Sequence, residues 1–184
     1  TLSLSSAASD VYKRQIVGNK TVYTYRKALG EQLAIENNII ADVVVPIPDS
    51  GVSAAIGFSQ KSKIPFELGI IRSHYVGRTF IEPSQTIRQF GVKLKHSVNR
   101  SCIENKKVIL IDDSIVRGTT ASKIVKMVYE AGAKEVHLGI SCPPILHPDF
   151  YGIDTPNYNQ LIASKSSTKE MTKLILNKVE SLSC

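Results

Sequence analysis

No apolar run in this chain approaches the roughly 18 residues a transmembrane helix needs, so no membrane span is expected. Cysteine is scarce: Cys102, Cys142 and Cys184 are an odd count at wide spacing. That argues against a disulfide framework and against a four-thiolate metal site. Neither an initiator Met nor a signal-peptide layout opens the chain. The expectation is therefore a fragment of a longer protein, working in the cytoplasm. Helix-turn-helix, zinc-finger and stacking-aromatic motifs are also missing, and no internal repeat is present beyond a doubled strand–turn–helix pattern.

What is there is ordinary soluble-protein material. The 184 residues suit one core or one domain with a small appendage, and 42% hydrophobic against 21% charged residues is typical of a globular chain. The net charge of +7 invites a nucleic-acid reading, but its location weakens that. Between Arg72 and Lys107 stand eight basic residues (Arg72, Arg78, Arg88, Lys93, Lys95, Arg100, Lys106, Lys107) against Glu82 and Glu104. A polyphosphate substrate explains one concentrated basic segment at least as well as a nucleic-acid backbone does, and no nucleic-acid partner is expected.

Residues 1–15 are Ser-rich and lack a sustained period, which reads as a disordered or foreign segment before a domain over 16–184. A helix is expected from Thr24 to about Asn37, with Ala28, Leu29, Leu33 and Ala34 as its packed face. Ala41–Val45 reads as a strand stopped by Pro46-Ile47-Pro48. Asp49-Ser50-Gly51 then leads into a helix over Val52–Gln60, and Asp49 or Ser50 is the candidate N-cap. Pro65–Ile71 reads as a third strand. The long basic stretch from Arg72 to Arg100 fits a lid better than a plain linker, with Ser84–Val98 able to form a helix. Glu135–Ser141 is a further strand, His147–Asp154 an aromatic turn, and Ser167 with Glu170 a capping box for a last helix. Strands alternating with helices predict an α/β fold with a mainly parallel sheet.

The densest chemistry lies in Lys107–Thr120, KVILIDDSIVRGTT. A β-branched apolar run reads as a buried parallel strand. The carboxylates Asp112 and Asp113 follow at once, then a small, hydroxylated turn and a helical pattern through Ile124, Val125, Val128 and Ala131. A helix start offers backbone N–H groups and the positive end of its dipole to a phosphate. Adjacent carboxylates suit sugar hydroxyls, or a magnesium ion that retains water and substrate oxygens. Asp49-Ser50-Gly51 repeats this layout, and two such turns at strand carboxyl ends would face one crevice.

The stretch VILIDDSIVRGTT is similar to the phosphoribosyl-pyrophosphate motif of type I phosphoribosyltransferases. With VPIPDSGVSAA (Val45–Ala55), YVGRTFIEPSQTIR (Tyr75–Arg88) and HPDFYGIDTP (His147–Pro156), in this order, the chain from about Val22 onward resembles the amidophosphoribosyltransferase family. The resemblance implies the type I phosphoribosyltransferase fold with a flexible lid. It implies formation of phosphoribosylamine and pyrophosphate from phosphoribosyl pyrophosphate and ammonia, the first step of purine synthesis. It puts Asp112 and Asp113 on the ribose hydroxyls and magnesium, with Ser50 as the further magnesium position. It puts Ser114, Ile115, Val116, Arg117, Gly118, Thr119 and Thr120 around the 5-phosphate. Asp49, Ser50 and Gly51 would form the pyrophosphate loop, and Arg72, Tyr75, Arg78 and Arg88 the lid, the last three as catalytic groups.

The chain also departs from the family pattern. Ammonia there comes from an N-terminal glutaminase domain headed by a nucleophilic cysteine, which this chain lacks, so free ammonia is the expected nitrogen source. Some members ligate an iron–sulfur cluster through HPCFYG; Asp149 holds that cysteine's position here, so no cluster is expected. Cys142 stands nearby at the wrong offset and reads as a small buried residue at a strand end. A homo-oligomer is the expected assembly. The rival readings are a salvage enzyme joining a purine base to the same sugar, and a regulator sensing phosphoribosyl pyrophosphate. YVGRTF disfavours the first, and the short polar N-terminus disfavours the second. If Arg72–Arg100 is a lid, it resists proteolysis only when magnesium and a substrate analogue are both added. Equal cleavage in both states would rule the lid out.

Overall fold

The computed structural model describes residues 16–72, 96–148, 158, 161–164, 166–167, 170–171 and 175. A short antiparallel pair, β1 (Ile16–Val17) and β2 (Lys20–Thr21), leads into α1 (Val22–Glu36). This helix starts two residues before the expected Thr24 because the Thr21 hydroxyl accepts from the Thr24 N–H at 3.2 Å. It ends where Asn37 returns both its backbone and side-chain N–H groups to Leu33 O.

Three parallel strands make the centre: β3 (Val43–Pro46), β6 (Lys107–Asp112) and β7 (Glu135–Ile140), in the spatial order β3-β6-β7. Both faces of β3 and β6 are buried, so their sequences are continuous apolar runs. Val43, Val45, Val108 and Leu110 turn to one side against α4 (Thr119–Glu130), through Ile124, Val125 and Val128. Val44, Ile109 and Ile111 turn to the other, against Ala54, Ala55 and Phe58 of α2 (Val52–Ser62). Each such Val, Ile or Leu taken fully out of water contributes about 1.5–3 kcal/mol.

The strand β3 runs through Pro46 instead of stopping before it. Val44 directs its N–H and C=O toward Pro65 O and Glu67 N, away from β6. By the two-residue alternation, Pro46 presents the same edge, where its missing N–H interrupts no bond to β6. Ile47 then donates to Ile111 O at 2.8 Å.

The expected strand Pro65–Ile71 divides in two. Phe66 makes a single parallel bridge to Val44, while β4 (Ile70–Arg72) pairs antiparallel with β5 (His96–Val98) in a separate sheet. Residues 96–98, expected at the end of a helix, are thus strand, drawn into the ladder opposite Ile70–Arg72. A one-turn helix, α3 (Arg100–Ile103), connects to β6. The remainder of the lid segment, including Tyr75, Arg78 and Arg88, lies outside the described residues, as do Asp149 and most of the aromatic turn. The capping box forms as expected: Ser167 N–H donates to Glu170 Oε2 at 2.7 Å, and Glu170 N–H donates to Ser167 Oγ at 3.4 Å. The bonds its carboxylate accepts, first from the Ser167 N–H and then from the Ser167 hydroxyl, hold Glu170 below its usual range.

The face α1 buries is the expected one only in part: Leu33 and Ala34 pack against the core on the α2 side. Leu29 is 44% exposed and Ala28 is exposed, whereas Gly30 is buried. Backbone contact with α2 is the reason. A Cβ on Gly30 would stand 1.9 Å from Ala54 O, and one on Gly57 would stand 2.0 Å from Lys27 O. Replacing a helical Gly by Ala gains up to about 1 kcal/mol of propensity. An atom 2.0 Å from a backbone oxygen forces the helices apart instead, at about 1–3 kcal/mol or more. Packing wins, so Gly57→Ala lowers the urea midpoint. A raised midpoint would show that the two helices are not in this contact.

Candidate functional site

Parallel pairing with Pro46 opposite Ile111 brings two turns off the sheet at the same edge. The first runs from Ile47 to Gly51 and opens α2; the second runs from Asp113 to Gly118 and opens α4. They meet closely. A Cβ on Gly51 would lie 2.1 Å from Ile111 O, so only glycine lets the first turn pass the end of β6. The hydroxyl of Ser50 donates to Asp112 Oδ1 at 3.2 Å. Neither Ser50 nor Asp49 caps α2: the cap is Gly51, without a side-chain bond. Asp49 instead pairs with Arg72, Nη1 to Oδ2 at 2.6 Å, tying the end of β4 to the first turn.

Asp112 Oδ1 also accepts the Asp113 N–H at 2.8 Å. Burial pushes the Asp112 carboxyl up to about 6; the charge of Asp113 adds to this, and the bonds from the Asp113 N–H and Ser50 oppose it. Asp113 shares Oδ1 with the Ser114 hydroxyl at 3.2 Å, and its Oδ2 lies 3.7 Å from Arg26 Nη1. Just beyond β7, Ser141 N–H donates to Asp112 O at 3.1 Å and Cys142 N–H to Asp113 O at 3.0 Å. The acidic pair is thereby pinned along its backbone as well as at its side chains.

The rest of the second turn is held from the far side. Ile162 N–H donates to Val116 O at 2.9 Å. Gly118 has φ +71, the left-handed region, and a Cβ there would also crowd Ile162 Cδ1 at 3.2 Å. Its carbonyl accepts both the N–H and the hydroxyl of Ser122, at 3.0 and 2.8 Å. No side chain caps α4, and Thr119 and Thr120 stand exposed in its first turn. Uncapped N–H groups with two hydroxyls beside them suit an anionic oxygen group.

The structure therefore brings together Ser50, Gly51, Asp112, Asp113 and Ser114, with Ile115, Val116, Arg117, Gly118, Thr119 and Thr120 on the same turn. Asp49 and Arg72 join the site as a pair. Among the described residues no cluster of three or more His, Cys, Asp or Glu could hold a metal unaided. The side-chain oxygens that meet where the two turns touch are the Asp112 carboxylate and the Ser50 hydroxyl, with the Asp113 carboxylate and the Ser114 hydroxyl beside them.

Cys142, expected to be buried, is exposed. Partial burial, and then the charge of Asp113, still push its thiol up, away from thiolate reactivity. His147 Nδ1 lies 3.2 Å from the Tyr158 hydroxyl with the rings edge to face, a structural pairing. Sequence reading missed Arg26. The sole hint was Gly30 one turn further on, since glycine inside a helical pattern marks close packing.

Residues 27–149 match the family described as phosphoribosyl transferase domain. The chain belongs to that family. Over 161 residues this phosphoribosyl transferase domain is 61% identical to the amidophosphoribosyltransferase of Rhizobium etli, covering 87% of this chain and 32% of that protein. Against the chloroplastic amidophosphoribosyltransferase of Glycine max it is 56% identical over 160 residues, covering 87% and 28%. Among solved structures, it is similar to glutamine phosphoribosylpyrophosphate amidotransferase from B. subtilis complexed with ADP and GMP. The TM-score is 0.79 at 52% identity, over 89% of this chain and 36% of that one. The chain spans about a third of the length of the curated relatives it matches. No helix among the described residues is long and apolar enough to cross a membrane.

The raised Asp112 carboxyl makes stability depend on pH. Folded Asp112 holds its proton to about pH 6, while in the unfolded chain it releases it near pH 4. The unfolded state thus binds fewer protons across that window, and stability falls as pH rises through it. Asp112→Asn removes the penalty, so it stabilises the protein at pH 8 and does so little at pH 4. Urea melts of both proteins at the two pH values test this; equal differences would refute it.

Proposed function

We propose that this chain is the phosphoribosyl-transferring part of an amidophosphoribosyltransferase, forming 5-phosphoribosylamine and pyrophosphate from phosphoribosyl pyrophosphate and ammonia. The observation that carries the reading is the Ser50–Asp112 contact, which joins the acidic/hydroxyl turn after β3 to the acidic pair after β6. A sugar carrying a phosphate at one end and a pyrophosphate at the other needs two such turns side by side.

In this reading Asp112 and Asp113 receive the ribose hydroxyls, and Ser114–Thr120 encloses the 5-phosphate at the start of α4. Asp49, Ser50, Gly51 and Arg72 face the pyrophosphate, and Tyr75, Arg78 and Arg88 close over it from the lid. Magnesium, on Ser50, Asp112 and Asp113 and on substrate oxygens, would offset charge on the departing pyrophosphate. Ammonia attacks C1 of the ribose as the bond to pyrophosphate breaks, through an oxocarbenium-like transition state. The protein's own contribution is placement, cationic donors at the leaving group and exclusion of water. Closure over the site matters because hydrolysis competes with amination.

The nitrogen source we propose is a glutaminase domain in the whole enzyme, supported by the third of the relatives' length that this chain spans. The assembly we propose is a homo-oligomer in the cytoplasm. We assign no iron–sulfur cluster, because Asp149 stands at the ligand position.

Asp112→Asn combined with Asp113→Asn should abolish ammonia-dependent phosphoribosylamine formation while the circular dichroism spectrum stays native. Unchanged turnover in the double variant would sink the assignment.

A further inference from the structure

Arg26 lies on α1, remote in sequence from both turns, yet its guanidinium reaches the acidic pair. Its Nη1 stands 3.7 Å from Asp113 Oδ2, and each side chain keeps 34% of its surface exposed. At that exposure an ion pair adds little to stability. Its geometric effect is larger. Asp113 Oδ1 already accepts the Ser114 hydroxyl at 3.2 Å, and a cation beside Oδ2 favours that orientation of the carboxylate from its second side. Asp112 next to it is fixed by Ser50 and by the Asp113 N–H.

The helix that carries Arg26 is closely seated. At Gly30, one helical turn along the same face, and at Lys27, the next residue, α1 comes close to the α2 backbone. The glycine contact therefore sets where the Arg26 backbone sits relative to the turns. The charge of the guanidinium also has a use there. Two adjacent carboxylates repel a polyanion, and a guanidinium at ion-pair distance offsets that repulsion without blocking the hydroxyl-binding edge.

We infer that Arg26 is a positioning residue of the sugar site, which orients the Asp113 carboxylate for the ribose hydroxyls and offsets the charge of the acidic pair toward a sugar pyrophosphate. The inference rests on the phosphoribosyl pyrophosphate reading above. It assigns Arg26 no part in bond making.

The test uses the full chain, comparing wild type, Arg26→Gln and Arg26→Lys. Phosphoribosyl pyrophosphate binding with magnesium is measured by calorimetry, alongside kcat, KM and Tm. Arg26→Gln should weaken binding and raise KM by about ten- to a hundredfold, the range for residues that orient a ligand-holding group, with little change in Tm. Arg26→Lys should restore part of the loss, because it keeps the charge but not the planar fork. In an Asp113→Asn background, Arg26→Gln should cost nothing further. Wild-type binding in Arg26→Gln, or independent losses that multiply in the double variant, would overturn the inference. A wild-type chain that binds the sugar pyrophosphate but forms no phosphoribosylamine would refute the reaction and leave the Arg26 comparison standing on binding alone. A wild-type chain that binds none would overturn both.

Discussion

The parallel pairing of β3 on β6, with Pro46 opposite Ile111, is the constraint on which the rest depends. It is held by burial on both faces, since successive residues of each strand alternate between two apolar clusters. A slip of one residue would turn every side chain to the opposite face, so the register is strongly specified. The same register sets where the strands end. The turns at Ile47–Gly51 and Asp113–Gly118 leave from adjacent positions, and the Ile47–Ile111 hydrogen bond extends the pairing into the first of them. The Ser50–Asp112 contact follows from that register.

Electrostatics in the site is a balance of groups that would each be unfavourable alone. Asp112 is buried enough to retain its proton well above the ordinary carboxylate range, and the charge of Asp113 beside it adds to the cost of ionising it. Arg26 and Arg72 bring cations from α1 and β4 to Asp113 and Asp49. Such an arrangement is poor as a stabilising device and well suited to a ligand carrying both hydroxyls and anionic groups. In the proposed reaction the substrate's own charge, with magnesium, completes the balance.

The helices are not passive covers. The contact of α1 with α2 through Gly30 and Gly57 is too close for any side chain, and it trades helix propensity for position. Exposed Leu29 and buried Gly30 are two sides of that exchange. The chain uses glycine for the same reason at Gly51, where one turn must pass the carbonyl of Ile111.

Much of this could be read from the chain alone. Apolar runs marked β3 and β6 because strands buried on both faces carry no polar alternation. The acidic pair, the hydroxyl turn and the start of α4 were legible because they are contiguous, and Ser167 with Glu170 because a capping box is local. Elsewhere, non-local pairing decided. Pro65–Ile71 looked like one strand but was divided between two sheets by its partners, Val44 and His96–Val98. Asp49 and Ser50 looked like caps until Arg72 and Asp112 claimed their side chains. Arg26 carried no signal of its own, because its role comes from a helix packed on glycine. Local sequence determined which carboxylates, hydroxyls and helix start the two turns carry. The tertiary structure decided which of them meet, since contacts between distant segments depend on register and packing that no short stretch encodes.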